Sequence, residues 1–432
     1  MKRNLIPLLI RISSQFLSFL IPLLVLKFYS IEIYGVVVVL IGLQAINALL
    51  DWGKQIPFQN RISKIGLTEY SVFNWLFKQT KFNYLLIINV LVGVLAMYTY
   101  PYWINFIIGD ASNAIIITYR HTINYVIISS CLYGALFCSD SILIGLGYIQ
   151  NKYLLDFISS LVVLFTLLVF VLTKVDLIYV LDCALSVPVA NRIASTVYVL
   201  LKGNKLKRKD YLGNISTYNS GISLSKLSIM FLYLQILSLL ANNIDSLYLA
   251  NNVKIGLSEI GKFGFYIKIF GISILIINLL NSIKAPEISA NAYSKIGKYA
   301  FPIFKKLLKN NLLISILFSL LVLMFLPIIL KIFGKTDLLD YSFAFVITIQ
   351  MIILYIRNSF TVYINSAELM VSNILGNTVF SFFQIMLKVF LIIYFGIYGI
   401  PLSNIFGYLI FLLPFHVFAL KQHKTKYNKV IY

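Results

Sequence analysis

Charged side chains are scarce in this chain. Only 12% of its 432 residues are Asp, Glu, Lys or Arg, whereas a soluble protein carries about 25%. Hydrophobic residues make up 60% of the chain, and the mean hydropathy is +0.89. Because a soluble fold of this length needs a polar surface, the shortage of charge excludes an ordinary soluble globular protein.

Residues that carry enzyme chemistry are also few. The chain has three histidines, three cysteines and 15 acidic residues, with no CxxC or HExxH pattern and no carboxylate cluster in a loop. The stretch Phe333–Thr336 (FGKT) ends like a phosphate-binding loop, but Ile329 occupies the position of the first glycine. No stretch between the apolar runs is long enough for a catalytic domain. We therefore predict no metal site, no cofactor and no enzyme activity.

Long apolar runs recur along the whole chain, for example Leu85–Tyr98, Leu161–Leu172 and Leu312–Leu330. One crossing of a bilayer takes about 20 mostly apolar helical residues. The sequence therefore predicts an all-α polytopic membrane protein, with tight turns after Gly147 and Gly396 between closely spaced helices. Twelve spans are expected, at positions 5–29, 34–50, 83–107, 123–149, 154–173, 177–201, 223–250, 263–285, 309–332, 341–366, 371–395 and 397–420.

Basic residues are distributed unevenly over the loops between these spans. If the N-terminus lies inside, the cytoplasmic segments hold 22 Lys and Arg and the opposite loops hold 7. Positive charge is retained on the cytoplasmic side, so both termini are predicted to be cytoplasmic. The same bias explains most of the net charge of +21. Because this charge is spread over alternate loops, we expect no nucleic-acid partner.

A faint internal repeat divides the chain in two. At an offset of 229 residues, Gly35 aligns with Gly264 and Pro57 with Pro286, and loop lysines follow in both copies. Such a recurrence is typical of an internal duplication, with chance alignment of two low-complexity regions as the alternative. Duplication would give two parallel six-helix lobes.

Six spans in each copy return the chain to the same side of the membrane. We expect an N-terminal lobe at 1–212 and a C-terminal lobe at 213–432, with a basic cytoplasmic linker at about 202–214. Transporters built from such repeats bind substrate near the midplane, in a central cavity between the lobes, and work by alternating access.

Charged residues inside the predicted spans are the candidate functional residues, because each costs about 2.5–3.5 kcal/mol to insert. Cations outnumber acids among them, which favours an anionic substrate. For Lys226, snorkelling to the nearby membrane surface is the competing explanation. The candidate substrate-binding cations are Arg11, Lys226, Lys268, Arg192, Arg357 and Lys388.

Two buried acids, Asp245 and Asp140, are candidates for ion coupling or for charge pairing. From their matched depth in the predicted spans, we expect Asp245 to pair with Lys268, and Asp140 with Arg192. A paired charge is far cheaper to bury than a lone one, so both pairs can be purely structural. The sequence does not choose between a structural and a functional role.

Several short motifs resemble one known family. They are FYSIEIYGVVVV (Phe28–Val39), LLDWGKQIPFQNRIS (Leu49–Ser63), ILIGLGYIQNKY (Ile142–Tyr153) and YFGIYGIPLSNIFGYLI (Tyr394–Ile410). The second motif is similar to the family's aspartate–aromatic–glycine segment, and the fourth to its final pair of spans. The family is that of the bacterial O-antigen (lipid-linked oligosaccharide) flippases, within the multidrug/oligosaccharidyl-lipid/polysaccharide exporter superfamily.

This resemblance implies a function. The chain would move an undecaprenyl-pyrophosphate-linked oligosaccharide repeat unit from the cytoplasmic to the periplasmic leaflet of the bacterial inner membrane. It implies a cavity lined chiefly by spans one, two, seven and eight, which carry Arg11, Lys226, Asp245 and Lys268. The implied partners are the lipid-linked substrate and membrane lipids, with O-antigen polymerase and chain-length proteins as further candidates.

Two other functions remain open at this stage. An O-antigen polymerase has a similar span count and composition, but such enzymes carry a long periplasmic loop with arginines. The longest outer loop here, Ile108–Thr122, holds only Arg120. A small-solute or drug exporter of the same superfamily would share the fold, although a cationic drug would prefer a cavity richer in acids.

Overall fold

The chain folds into helices that form two compact units, Met1–Leu239 and Leu240–Tyr432. We find no strand in the described part of this computed structural model. The predicted lobe boundary at 212–213 falls outside that part and stays a prediction. The described residues are 2–55, 58–59, 82–108, 112–202, 206, 224–243, 245–252, 255–293, 300–366 and 370–428.

In the first unit, α1 packs against α6, α3 against α4, and α8 against α5 and α6. Ser30 caps α2, because its hydroxyl accepts a hydrogen bond from the Ile33 N–H at 3.3 Å. The helices are α1 (Lys2–Phe28), α2 (Ile31–Gln44), α3 (Phe82–Ile108), α4 (Ser112–Ala135), α5 (Phe137–Gly145), α6 (Ile149–Leu172), α7 (Leu177–Leu185), α8 (Val187–Lys202) and α9 (Leu224–Ser238).

In the second unit, α11, α12 and α13 pack pairwise against one another, and α14 packs against α15 and α16. A π-helical turn at Leu239–Asn243 precedes α10, and another at Tyr408–Leu412 follows α15. The helices are α10 (Asp245–Ala250), α11 (Leu257–Tyr293), α12 (Ala300–Phe333), α13 (Tyr341–Ser366), α14 (Met370–Phe395), α15 (Gly399–Gly407) and α16 (Leu413–Asn428).

Both predicted tight turns are confirmed. Gly147 (φ +86°) joins α5 to α6, and Gly396 (φ +56°) separates α14 from α15, a conformation that glycine adopts without steric cost. After the second turn the chain reverses direction. A Cβ on Gly399 would lie 2.5 Å from the backbone of Leu391, and the Phe383 ring stacks on Phe411 at 4.3 Å.

Five described helical stretches are long and apolar enough to cross a membrane, or six if the bent pair α7 and α8 counts as one span. Four shorter apolar helical stretches of 10–17 residues are Ile12–Phe28, Ile31–Asn47, Leu86–Thr99 and Ser228–Ala241. The chain is therefore a multi-pass membrane protein, while the number twelve and the sides of the termini stay predictions. The five stretches are Thr118–Gly145, Ile149–Leu172, Phe301–Phe333, Tyr341–Ile364 and Ile374–Gln422.

Helix α12 has one buried face with polar side chains and one exposed, apolar face. Its buried face holds Asn311, Ser315 and Ser319, each with no exposed surface. The opposite face is apolar and between 54% and 71% exposed at Leu313, Leu317, Leu320, Met324 and Ile328. The exposed apolar face is suited to contact with lipid hydrocarbon. The small polar residues of the buried face are of the kind that packs well between membrane helices.

Candidate functional site: two buried charge clusters

The first cluster lies in the first unit, where α5, α6 and α8 meet. Arg192 Nε lies 2.8 Å from Asp140 Oδ2, which confirms the predicted pair. Lys152 Nζ lies 3.3 Å from the other oxygen of Asp140, and it also pairs with Asp156 one turn further along α6. We call these four residues the α5–α6–α8 cluster. Two cations and two carboxylates make it neutral overall.

Local sequence explains how these four charges meet. The turn at Gly147 reverses the chain between α5 and α6, so that the beginning of α6 faces the end of α5. Lys152 falls between the predicted spans 123–149 and 154–173, and no role was predicted for Asp156. The signal for both was their i, i+4 spacing on a helix, at which opposite charges face each other.

The Arg192 side chain contacts three protein groups. Only 2% of the residue is exposed, and the guanidinium lies 4.0 Å from the centre of the Tyr133 ring, a favourable cation–π geometry. Its Nη2 donates a hydrogen bond of 2.9 Å to Gln55 Oε1. Because its guanidinium already contacts a carboxylate, an aromatic ring and an amide, Arg192 is better suited to join helices than to bind a ligand.

The segment after α2 holds a third buried acid in the first unit. Asp51 is 4% exposed and accepts hydrogen bonds from the Gly53 N–H at 2.9 Å and from Gln235 Nε2 of α9 at 3.3 Å. This segment belongs to the motif Leu49–Ser63, which resembles a family motif, but Asp51 was not among the predicted site residues. The carboxylate stabilises a bend and ties it to α9.

That bend contacts two other parts of the first unit, α3 and α9. Trp52 (φ +54°) and Gly53 (φ +67°) both adopt left-handed backbone conformations. The Trp52 indole donates to Asn89 Oδ1 of α3 at 3.0 Å. A Cβ on Gly53 would lie 2.2 Å from the Ser228 carbonyl oxygen of α9. Glycine is therefore required at this position twice over, by its φ and by the close approach.

The second cluster lies in the second unit, around Lys388 of α14. This lysine has no exposed surface. Its ammonium group pairs with Asp245, the first residue of α10, and donates to the carbonyl of Ala241 in the preceding π-helical turn. Asn404 Nδ2 donates to the second oxygen of Asp245 at 3.3 Å, and Gln384 in turn donates to Asn404. We call these residues the α10–α14 cluster.

This cluster corrects one prediction. The partner of Asp245 was expected to be Lys268 of α11, but it is Lys388. Depth along predicted spans placed Asp245 and Lys268 level on helices that are adjacent in sequence. However, α10 also packs against α14, a contact between elements more than 100 residues apart that depth alone cannot reveal.

The other predicted cations have different surroundings. Lys268 on α11 and Arg357 on α13 are both half-buried, and the Arg357 guanidinium lies 4.6 Å from the centre of the Phe380 ring. Arg11 lies in α1 and Lys226 in α9, but their side chains are outside the described residues. Within the part of the chain that the structure describes, no group of three or more metal-ligating side chains occurs.

No protein-family model and no curated protein matches this chain, but solved structures match nearly all of it. The lipid II flippase MurJ in an inward closed conformation matches with a TM-score of 0.68 and 16% identity, covering 96% of this chain and 87% of that one. An outward-facing multidrug-resistance MATE family transporter of the MOP superfamily matches with a TM-score of 0.64 and 14% identity, covering 98% and 95%. A MATE in the bent conformation gives 0.62 and 14%, covering 99% and 95%.

These likenesses define a class of fold. At 14–16% identity they concern the fold alone, and the chain has the fold of these transporters and flippases. The likeness in fold agrees with the resemblance drawn from the short motifs, and membership of that superfamily stays a prediction. The O-antigen part of that resemblance stays a prediction.

Proposed function

We propose that this chain is a MOP-type transporter that moves undecaprenyl-pyrophosphate-linked O-antigen repeat units from the cytoplasmic to the periplasmic leaflet of the bacterial inner membrane, by alternating access. The observation that carries the proposal is the likeness of fold to a lipid II flippase over 96% of the chain. The motifs of the sequence favour O-antigen as the substrate. A partnership with polymerase and chain-length proteins belongs to the same proposal.

The chemistry of such a substrate sets what the protein must supply. A pyrophosphate-sugar head group loses its hydration on entering the membrane, so it needs cations and hydrogen-bond donors in place of water. The polyprenyl tail can stay in the lipid. Cations within the helices are therefore the groups that we expect to contact the head group.

We assign different roles to the candidate cations inside the two charge clusters and to those outside them. Arg192 and Lys388 are buried against aspartates, so we propose that they hold helices in place. Substrate contact then falls to Lys268 and Arg357, whose half-buried side chains leave surface that a ligand can reach, and to Arg11 and Lys226, which the sequence places on predicted cavity spans.

A small-solute exporter is the second candidate. This chain spans 95% of the MATE structure but 87% of the flippase, so its length fits an exporter at least as well. We favour the anionic lipid-linked substrate because Asp140 and Asp245 are each paired with a cation, which leaves them poorly suited to bind a cationic solute. The polymerase alternative gains no support from these neighbours, whose names are those of transporters and a flippase.

The deciding experiment is deletion of the gene in its strain of origin. Surface polysaccharide is run on a gel beside the lipid-linked intermediates, with the wild-type gene restored on a plasmid as the control. Loss of all surface repeats with accumulation of complete lipid-linked units supports the flippase. A single repeat on the surface core would indicate a polymerase, because the units still cross. An unchanged profile would overturn both and favour the small-solute exporter.

A further inference from the structure

The first unit also contains an apolar cavity, which is not lined by any residue of the α5–α6–α8 cluster. A space of about 80 Å³ remains between α3, α4 and the end of α2. Its walls include Leu43 of α2, Val92 and Ala96 of α3, and Ile123, Val126 and Cys131 of α4.

The lining excludes water as the occupant. It consists of aliphatic side chains and a thiol, with the Ser130 hydroxyl as its one strongly polar side-chain group. A buried water needs two to four polar partners, and this wall does not offer them. An empty space would deprive the lining of dispersion contacts, because protein interiors are otherwise close-packed. A hydrocarbon chain needs no polar partners and restores the dispersion contacts of the lining.

The cavity is continuous with the lipid-facing surface. Val92 lines it and is also 36% exposed, while Leu91, Val94 and Leu95 beside it on α3 are 54–63% exposed. Helix α3 carries no charged residue from Phe82 to Ile108. In a multi-pass membrane protein such a surface contacts bilayer hydrocarbon, so hydrocarbon chains are present at the mouth of the cavity.

The depth of the cavity suits the end of a lipid chain. At 1.5 Å per residue, Val92 and Ala96 lie about 15 and 18 Å from the nearer ends of α3. Half the hydrocarbon core of a bilayer is about 15 Å. The cavity therefore lies near the midplane, where the terminal carbons of acyl chains are found.

We propose that this cavity binds the terminal part of one acyl chain of a bilayer phospholipid, with the head group remaining at the membrane surface. A phospholipid is the expected ligand, because phospholipid chains at the mouth of the cavity are in great excess over any prenyl substrate. The chain fills the gap between α3 and α4 beside their direct contact, where a Cβ on Gly93 would lie 2.8 Å from Cys131 Sγ. This inference is independent of the proposed function.

The test compares two tryptophan variants on the same helix. Ala96→Trp fills the cavity, whereas Leu95→Trp places the same ring on the exposed face of α3. Each protein is purified from phospholipid nanodiscs, and retained lipid is identified by native mass spectrometry. We expect wild type and Leu95→Trp to retain one phospholipid and Ala96→Trp to lose it. Equal retention by both variants, no retained lipid in wild type, or retention of a prenyl lipid alone would overturn the proposal.

A second measurement avoids substitution altogether. Wild-type protein is reconstituted with a phospholipid that carries a diazirine at the end of one acyl chain, and the photocrosslinked residues are identified by mass spectrometry. We expect crosslinks at the cavity walls, at Val92, Ala96 or Cys131, well above those at Leu91 and Leu95 on the exposed face of α3. Equal crosslinking of the two faces would contradict an acyl chain in this cavity, even if Ala96→Trp fails to fold.

Discussion

Lys388 and Asp245 form a buried ion pair between α14 and the first residue of α10. The lysine has no exposed surface, and its ammonium group also donates to the carbonyl of Ala241. The second carboxylate oxygen is held by Asn404. Since four polar groups satisfy one another here, the pair joins α10, α14 and α15.

This arrangement predicts strong coupling between the two residues. Either Lys388→Met or Asp245→Asn leaves the remaining partner without its counter-charge, and removing one member of a buried pair costs about 3–5 kcal/mol. Lys388→Met combined with Asp245→Asn should cost much less than the sum, because no lone charge remains. The measurement is a double-mutant cycle of thermal unfolding in detergent.

The same cycle separates a structural pair from a functional one. If the pair only joins helices, the double variant should retain transport in cells wherever it is stably produced. A double variant that is stable yet inactive would assign Asp245 a role in ion coupling. Additive losses of stability would contradict the ion pair itself.

Arg192 offers a second test, based on what a guanidinium does that an ammonium cannot. Arg192→Lys keeps the charge near Asp140 but loses the hydrogen bond to Gln55 and the planar stacking on Tyr133. Arg192→Met loses the charge as well. We expect a fall in unfolding free energy of about 1–2 kcal/mol for lysine and a larger fall for methionine. Lys331→Met, at an exposed position on α12, is the control and should change little. Equal losses for lysine and methionine would show that the charge of Arg192 contributes nothing.

The sequence predicted features that depend on local pattern or on composition. Membrane class follows from the apolar runs, and the turns at Gly147 and Gly396 follow from spacing alone. The pair of Asp140 and Arg192 was predicted from their matched depth in the predicted spans. The same criterion gave Asp245 the wrong partner. Lys388 was taken as a substrate contact because nothing in the sequence indicates that α14 packs beside α10.

The bend at Asp51 shows a second limit. Its likeness to a family motif was visible, but the consequence of that motif was not. The structure adds that Trp52 and Gly53 turn left-handed and that Gln235, almost 200 residues away, completes the site. A sequence motif can indicate where the backbone conformation is unusual, but only the fold shows which residues contact that segment.

Glycine at position 53 gives a third prediction, with a control in the same protein. Gly53 and Gly334 have almost the same φ, +67° and +68°, but nothing lies within 4 Å of a Cβ on Gly334. Gly334→Ala should lose only the backbone term of about 1–2 kcal/mol. Gly53→Ala should lose about 1–3 kcal/mol more, because its methyl group meets the α9 backbone. The difference between the two melting curves measures the close approach, and equal losses would contradict it.

Asp340 gives a prediction of pH dependence outside the membrane-spanning helices. It lies between α12 and α13. Burial raises the pKa of this carboxyl, but Lys262 Nζ at 2.8 Å and the Phe343 N–H at 2.9 Å outweigh burial, so its pKa lies below the ordinary value of 3.8. Its stabilising contribution is therefore present above pH 3.8 and is lost as the pH falls through the lower pKa of the folded state.

The check is a series of unfolding measurements from pH 6 down to about pH 3, across the range where carboxyls titrate. Wild type should lose more stability at the acid end than Asp340→Asn, which has no carboxyl to protonate there. Asp337→Asn, at an exposed position on the same loop, should follow the wild-type curve. If Asp340→Asn shows the same acid loss as wild type, the interaction with Lys262 does not stabilise the fold.

The last prediction concerns the two half-buried cations of the second unit. If Lys268 and Arg357 contact the pyrophosphate, then Lys268→Gln or Arg357→Gln removes a charge-assisted hydrogen bond of about 1.5–3 kcal/mol, roughly a tenfold loss of transport or more. In a deletion strain, each variant should restore less surface polysaccharide than wild type and accumulate lipid-linked units at equal protein abundance. Lys331→Gln should restore the full profile, because Lys331 is exposed at the end of α12. Full restoration by both glutamine variants would remove these cations from the substrate path and leave Arg11 and Lys226 to meet the anionic head group.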